Sequence, residues 1–155
     1  MARIALDAMG GDRAPEVPIA GALLALAELD GVHSIQLVGR ADDVAAELDR
    51  QLGAAASLPS GLRDRITIVD AADVIEMSEK PTAAIRSKPN SSMAVGLKLH
   101  ATGNADAFVS AGNTGAQMAA SVFLLKLHAG LTRPAIATTF PTQRNPVVVL
   151  DAGAN

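Results

Sequence analysis

Two short stretches carry the residues best suited to chemistry. In DAMGGD, residues 7–12, Asp7 and Asp12 flank Gly10 and Gly11. In SAGNTGA, residues 110–116, Ser110, Asn113 and Thr114 are interleaved with Gly112 and Gly115. Glycine lets the backbone take unusual angles or approach a ligand closely. A glycine turn that leads into a helix also presents free N–H groups backed by the positive end of the helix dipole. That arrangement suits an anion, most often phosphate, and Ser110, Asn113 and Thr114 would add side-chain hydrogen bonds. A third turn, DAGAN, residues 151–155, offers Asp151 and Asn155. Glycine turns of this kind also arise where a strand and a helix pack tightly, and neither the dinucleotide fingerprint nor the P-loop is matched. Both readings therefore stand at this point. Asp7 and Asp12 fit a metal pair, a ligand-facing pair, or a cap and a turn residue. No His or Glu is placed to complete a metal site, so no metal is expected. IRSKPNSSM, residues 85–93, brings Arg86, Lys88, Ser91 and Ser92, either as an anion-binding loop or as a solvated turn with a serine cap. His33, His100 and His128 show no ligand spacing.

These turns need a scaffold, and the composition says which kind. Hydrophobic residues make up 49% and charged residues 19% of the 155, which is the balance of a globular rather than a disordered chain. Aromatics are only 2%, without Trp or Tyr, so the core must be built from Ala, Val, Leu and Ile. The net charge of -3 argues against nucleic acid, which needs a basic surface. No cysteine is present, which removes disulfides and thiol chemistry and fits a cytoplasmic home. The first residues lack the apolar length of a signal peptide. The most apolar window, MAASVFLLKLHAGL, is too short to span a bilayer.

Strands are expected at 3–7, 34–39, 65–70, 106–110, 135–140 and 147–151, because each is a short, nearly continuous apolar run. Helices are expected at 14–29, at 42–52 with Asp42 as cap, from Ser91 or Ser92 to about His100, and from Thr114 to about His128. The last of these is apolar on nearly every side and reads as buried and central. A loop is expected at 54–61. Alternating strands and helices predict one α/β region over 1–155, a mostly parallel sheet covered on both faces. The link PTQRNP, residues 141–146, is shorter than the dozen or so residues of a parallel crossover. The last two strands are thus antiparallel neighbours or lie in different sheets. In a parallel sheet, ligands sit beyond the carboxyl ends of the strands, where all three glycine turns fall.

Five blocks carry a family resemblance: RIALDAMGGDRAPE, VIEMSEKPTAAIRSKPNSSM, ADAFVSAGNTGAQMA, RPAIATTFPT and LDAGAN. In that order they resemble the signature blocks of the PlsX-type phosphate acyltransferases. The resemblance runs over essentially the whole chain and about the N-terminal half of the family's length. It implies a phosphotransacetylase-like three-layer sandwich, incomplete at the C-terminus. It implies formation of acyl phosphate from acyl-(acyl carrier protein) and inorganic phosphate, without a cofactor, for bacterial phospholipid synthesis. It also implies a cytoplasmic homodimer loosely attached to the membrane. A phosphate oxygen would attack the thioester carbonyl, so no activated Ser or Cys is needed. On this reading Ser110, Gly112, Asn113, Thr114 and Gly115 seat the phosphate. Arg86 or Lys88 neutralises charge, with Ser91 and Ser92 as donors. Asp7, Gly10, Gly11, Asp12, Asp151 and Asn155 line the rest of the pocket, and no general base is identified. Two departures stand out. Asp70 and Asp73 occupy places where the family has His and Glu, and the basic stretch before SSM is thinner. The rivals are a short-chain phosphotransacetylase working on acyl-coenzyme A and a non-catalytic fragment.

Overall fold

Four apolar runs form a wholly parallel sheet in the computed structural model, which describes residues 2–54 and 59–151. They are β1 (Ala2–Asp7), β2 (Val32–Gly39), β3 (Ile66–Asp70) and β4 (Ala107–Val109), in the order β3-β2-β1-β4. With α1 (Glu16–Glu28), α2 (Ala41–Ala54), α3 (Pro81–Ser87), α4 (Ser92–Ala101) and α5 (Thr114–Leu124), they belong to a unit spanning Met1–Leu125.

Side chains of a strand alternate between faces, and the packing follows that alternation. Ile4 pairs with Ile35 and Ile35 with Ile66, so three isoleucines form a row across the sheet. Together with Leu6 and Leu37 they pack on Ile19, Leu23 and Leu26 of α1 and on Val44 and Leu48 of α2. On the other face, Ala5, Val38 and Val69 pack on Val95 and Leu99 of α4. Phe108 of β4 joins this second face to Met93, Ala116 and Ala120, between α4 and α5. The result is a three-layer α/β sandwich. Burial of each large aliphatic chain stabilises it by about 1.5–3 kcal/mol. A core short of aromatics is filled by close approach: a Cβ on Gly96 of α4 would lie 2.3 Å from the Phe108 ring.

Several element boundaries differ from the sequence reading, each for a local reason. α1 begins after Pro15, and Pro18 sits in its first turn, where a missing N–H costs no helical bond. α2 starts at Ala41, so Asp42 lies inside the first turn rather than at the cap. The Ala41 N–H is instead taken by the Asp70 carboxylate at 3.2 Å, from the end of β3. α3 is an element the sequence pattern does not announce, since it is only 7 residues long and opens on a proline. α5 ends at Leu124 and is not buried all round. Ala116 and Ala120 are inside, but Phe123 is 51% exposed and Leu125 40%. Apolar content alone did not show that its small residues make the contact side. Residues 55–58 of the expected loop lie outside the described residues.

The second unit, Lys126–Asn155, holds β5 (Ala137–Phe140) and β6 (Val147–Leu150) as an antiparallel pair, with Phe140 opposite Val147 and Ala137 opposite Leu150. This agrees with the expected antiparallel alternative for the short link. Among the described residues no helix is long and apolar enough to cross a membrane.

At the amino ends of β1 and β4, Arg3 clamps Asp106. Its Nη2 and Nε donate to the carboxylate at 2.8 and 3.2 Å, and its backbone N–H adds a bond of 2.8 Å. The side-chain hydrogen bonds from Arg3 are the main reason the Asp106 carboxyl is held down to about 2. Because the folded state lowers this pKa below the ordinary carboxylate value of about 3.9, the clamp stabilises the fold above that value. Its contribution is lost as pH falls from about 4 towards 2. Asp106→Ala should therefore lower the urea midpoint at pH 7, and the gap to wild type should close as pH approaches 2. The pair is exposed, so the effect is modest and shrinks with salt. An Asp106 carboxyl resonance titrating near 4 by NMR would rule the clamp out.

Candidate functional site

The strand order fixes where a site can form. From β1 the chain steps to β2 and β3 on one side, while β4 lies on the other side of β1. The β1–β4 boundary is therefore the topological switch point, the place where open α/β sheets bind ligands beyond the strand carboxyl ends. The two glycine turns leave β1 and β4 at this boundary and meet there.

The contacts between the turns are direct. Ser110 donates its hydroxyl to Asp7 Oδ2 at 2.8 Å, and the Ser110 oxygen accepts the Gly112 N–H at 3.0 Å. Asp7 Oδ1 accepts the Met9 N–H at 3.0 Å, which tightens the first turn. Gly11 has a φ of 98°, a left-handed angle that a side chain would strain. Gly10 is needed for space: a Cβ there would lie 2.9 Å from Asp7 Oδ2, Ser110 Oγ and the Gly112 nitrogen alike. The turns close one side of a cavity of about 410 Å³ lined by Asp7, Gly10, Gly11, Asp12, Arg13 and Ser110, among others. The Gly11 and Asp12 N–H groups have no hydrogen-bond acceptor among the described residues. Adjoining it, and sharing Leu6, Pro18 and Val109, is an almost wholly apolar cavity of about 410 Å³ between α1 and the sheet, walled further by Ile4, Ala22 and Ala25.

Of the residues singled out from the sequence, Asp7, Gly10, Gly11, Asp12 and Ser110 come together at this cavity, with Gly112 tied to them through Ser110. Arg13, passed over in the sequence although it directly follows Asp12, adds a positive charge to the lining. Others have different work. Asn113 is buried. Its Oδ1 caps α5 by accepting the Ala116 N–H at 3.0 Å, and its Nδ2 faces the Glu76, Met77 and Glu79 carbonyls at 3.1–3.3 Å. In this arrangement its side chain clamps the 76–79 turn. Gly115 is required by packing, since a Cβ would sit 2.7 Å from Pro81 Cγ of α3. Thr114 is the exposed first residue of α5.

The basic stretch is likewise engaged elsewhere. Lys88 Nζ donates to the Val74 carbonyl at 2.7 Å and pairs with Glu79. Hydrogen bonds from the Glu76 backbone and from Lys88 lower the Glu79 carboxyl below its ordinary range. The Arg86 guanidinium lies over the Phe123 ring, 5.7 Å from its centre. Ser91 caps α4 through the Ala94 N–H and Ser92 is buried in its first turn, and neither lines the cavity. The Asp70 carboxylate holds the start of α2, while at Asp73 it is the backbone that bonds the 90–92 segment. The Asp151 N–H bonds the Ile136 carbonyl at 2.7 Å within the second unit. Asn155 lies outside the described residues.

Comparison with known proteins gives the same direction. A family model described as "Fatty acid synthesis protein" matches residues 2–155. The chain belongs to this family. It is 53% identical over 155 residues to a phosphate acyltransferase of Desulforamulus reducens, covering 100% of this chain and 43% of the relative. It is 49% identical over 153 residues to a phosphate acyltransferase of Salinibacter ruber, covering 99% of this chain and 43% of the relative. A Heliobacterium modesticaldum phosphate acyltransferase is 46% identical over 153 residues, with 99% and 43% covered. The chain thus spans less than half the length of these curated relatives.

Proposed function

We propose that the whole protein transfers an acyl group from a thioester on acyl carrier protein to inorganic phosphate, releasing acyl phosphate for phospholipid synthesis. The observation that carries this reading is the cavity closed by the two glycine turns at the switch point, in a chain whose relatives are named phosphate acyltransferases. The phosphate would lie against Arg13 and the free N–H groups of Gly11 and Asp12, and the acyl chain along the apolar cavity beside Leu6 and Val109. Phosphate is itself the nucleophile, so the protein's part is to bring two reactants together and to stabilise the developing oxyanion. The setting proposed is a cytoplasmic homodimer that touches the membrane peripherally.

The test is to supply the whole encoded protein with phosphate and either palmitoyl-carrier protein or short and long acyl-coenzyme A, and to trap acyl phosphate as the hydroxamate. Product from the carrier thioester at a higher kcat/KM is expected. Preference for short acyl-coenzyme A would instead support a phosphotransacetylase, and no product from any donor would overturn the reading.

A further inference from the structure

Among the described residues Asp7 is the one buried ionisable side chain, 3% exposed, and none of the ion pairs includes it. A carboxylate kept out of water without a cation is costly, and such groups concentrate where a protein uses them. Asp7 also lines the cavity, with Asp12 and Arg13 as the charged groups around it. Its contact towards the second turn is a hydroxyl, that of Ser110, donated at 2.8 Å. A serine oxygen has one proton to give and two lone pairs. Here the proton goes to Asp7 and one lone pair takes the Gly112 N–H, so one lone pair remains.

We infer that Ser110 and Asp7 form a proton relay that takes a proton from the attacking phosphate and returns it to the departing sulfur. The inference rests on the acyl transfer proposed above. In that reaction an acyl thioester and hydrogen phosphate dianion become acyl phosphate dianion and a thiol. One proton moves from phosphate oxygen to sulfur and none is gained or lost. As the phosphate oxygen bonds to the carbonyl carbon, its proton passes to Ser110 Oγ while the Ser110 proton passes to Asp7. As the carbon–sulfur bond breaks, sulfur keeps the electron pair, and the same path run backwards delivers the proton to it. One carboxylate therefore serves both halves.

The alternative is that the pair merely locks the two turns together, and asparagine separates the two roles. Asp7→Asn cannot take a proton, yet its oxygen can keep the Met9 N–H while its amide N–H donates to the Ser110 oxygen, so a hydrogen bond still joins the two turns. A positioned acid–base group contributes typically 10²–10⁴-fold. In the whole protein, Asp7→Asn should lower kcat about 10²–10³-fold, with the melting temperature and the KM for phosphate near wild type. Ser110→Ala should lower kcat similarly, and the double variant should fall little further, because the two act as a unit. Asp7→Ala should regain at least about tenfold of its activity in added formate, whose carboxylate can replace the missing one. An Asp7→Asn enzyme within threefold of wild-type kcat would overturn the relay. So would a loss that comes with a collapsed melting temperature and a raised KM, which marks a structural lock. Absence of acyl phosphate from the wild-type protein would instead count against the parent reading.

Discussion

Asn113→Ala is expected to destabilise the fold by about 2–4 kcal/mol, a loss built from two separable parts. The first is the cap: Asn113 Oδ1 satisfies the Ala116 N–H at 3.0 Å, and replacing such a cap by alanine costs about 0.5–2 kcal/mol. The second is the clamp: Nδ2 donates to carbonyls of the 76–79 turn, and a hydrogen bond of this kind contributes about 0.5–1.5 kcal/mol. Asn113→Ser should keep much of the cap and lose only the clamp, so it should fall between alanine and wild type. Without Trp or Tyr, unfolding in urea is best followed by circular dichroism at the helix band. An alanine variant within about 0.5 kcal/mol of wild type, below the smallest expected cap loss, would show that neither part matters.

This residue also shows how far the sequence could be read. The strands were legible because parallel strands buried on both faces are continuous apolar runs, and RIALD, RITIVD and DAFVS have that form. The glycine turns were legible as places for chemistry, but each was seen by itself. Their meeting depends on the order β3-β2-β1-β4, which brings Asp7 and Ser110, 103 positions apart, into a single hydrogen bond. No local pattern encodes that. The packing engagements of Asn113, Gly115 and Lys88 are hidden in the sequence for a related reason. A donor, a small residue and a cation look alike in a sequence whether they face a ligand or a neighbouring element. Here the 76–79 turn, Pro81 and Glu79 claim them. Arg13 shows the converse, a cavity residue adjacent to Asp12 that no spacing rule marked.

Gly10→Ala should give the largest loss of activity for the smallest change in covalent structure. The backbone at Gly10 does not need a left-handed angle, unlike Gly11 at 98°, so the effect is one of space. The added Cβ would lie 2.9 Å from Asp7 Oδ2, Ser110 Oγ and the Gly112 nitrogen. Contacts that short are repulsive, and all three neighbours are held, Ser110 by Asp7 and Gly112 by Ser110. The Gly112 nitrogen is backbone and cannot swing aside, so the second turn must move away from the first. Overpacking of this kind costs about 1–3 kcal/mol, which a folded domain tolerates. The reaction geometry tolerates less, since a misplacement of about 1 Å can cost about 10²-fold in rate. The whole protein carrying Gly10→Ala should therefore keep its helical circular dichroism while its kcat/KM for the proposed acyl phosphate formation falls about 10²-fold or more. Gly11→Ala tests the other mechanism, strain at a positive φ with its nearest neighbour a comfortable 3.4 Å away. If Gly10→Ala is folded and within threefold of wild type, the junction of the two turns is not where the acyl group and the phosphate meet, and the reaction centre must be sought elsewhere in the protein.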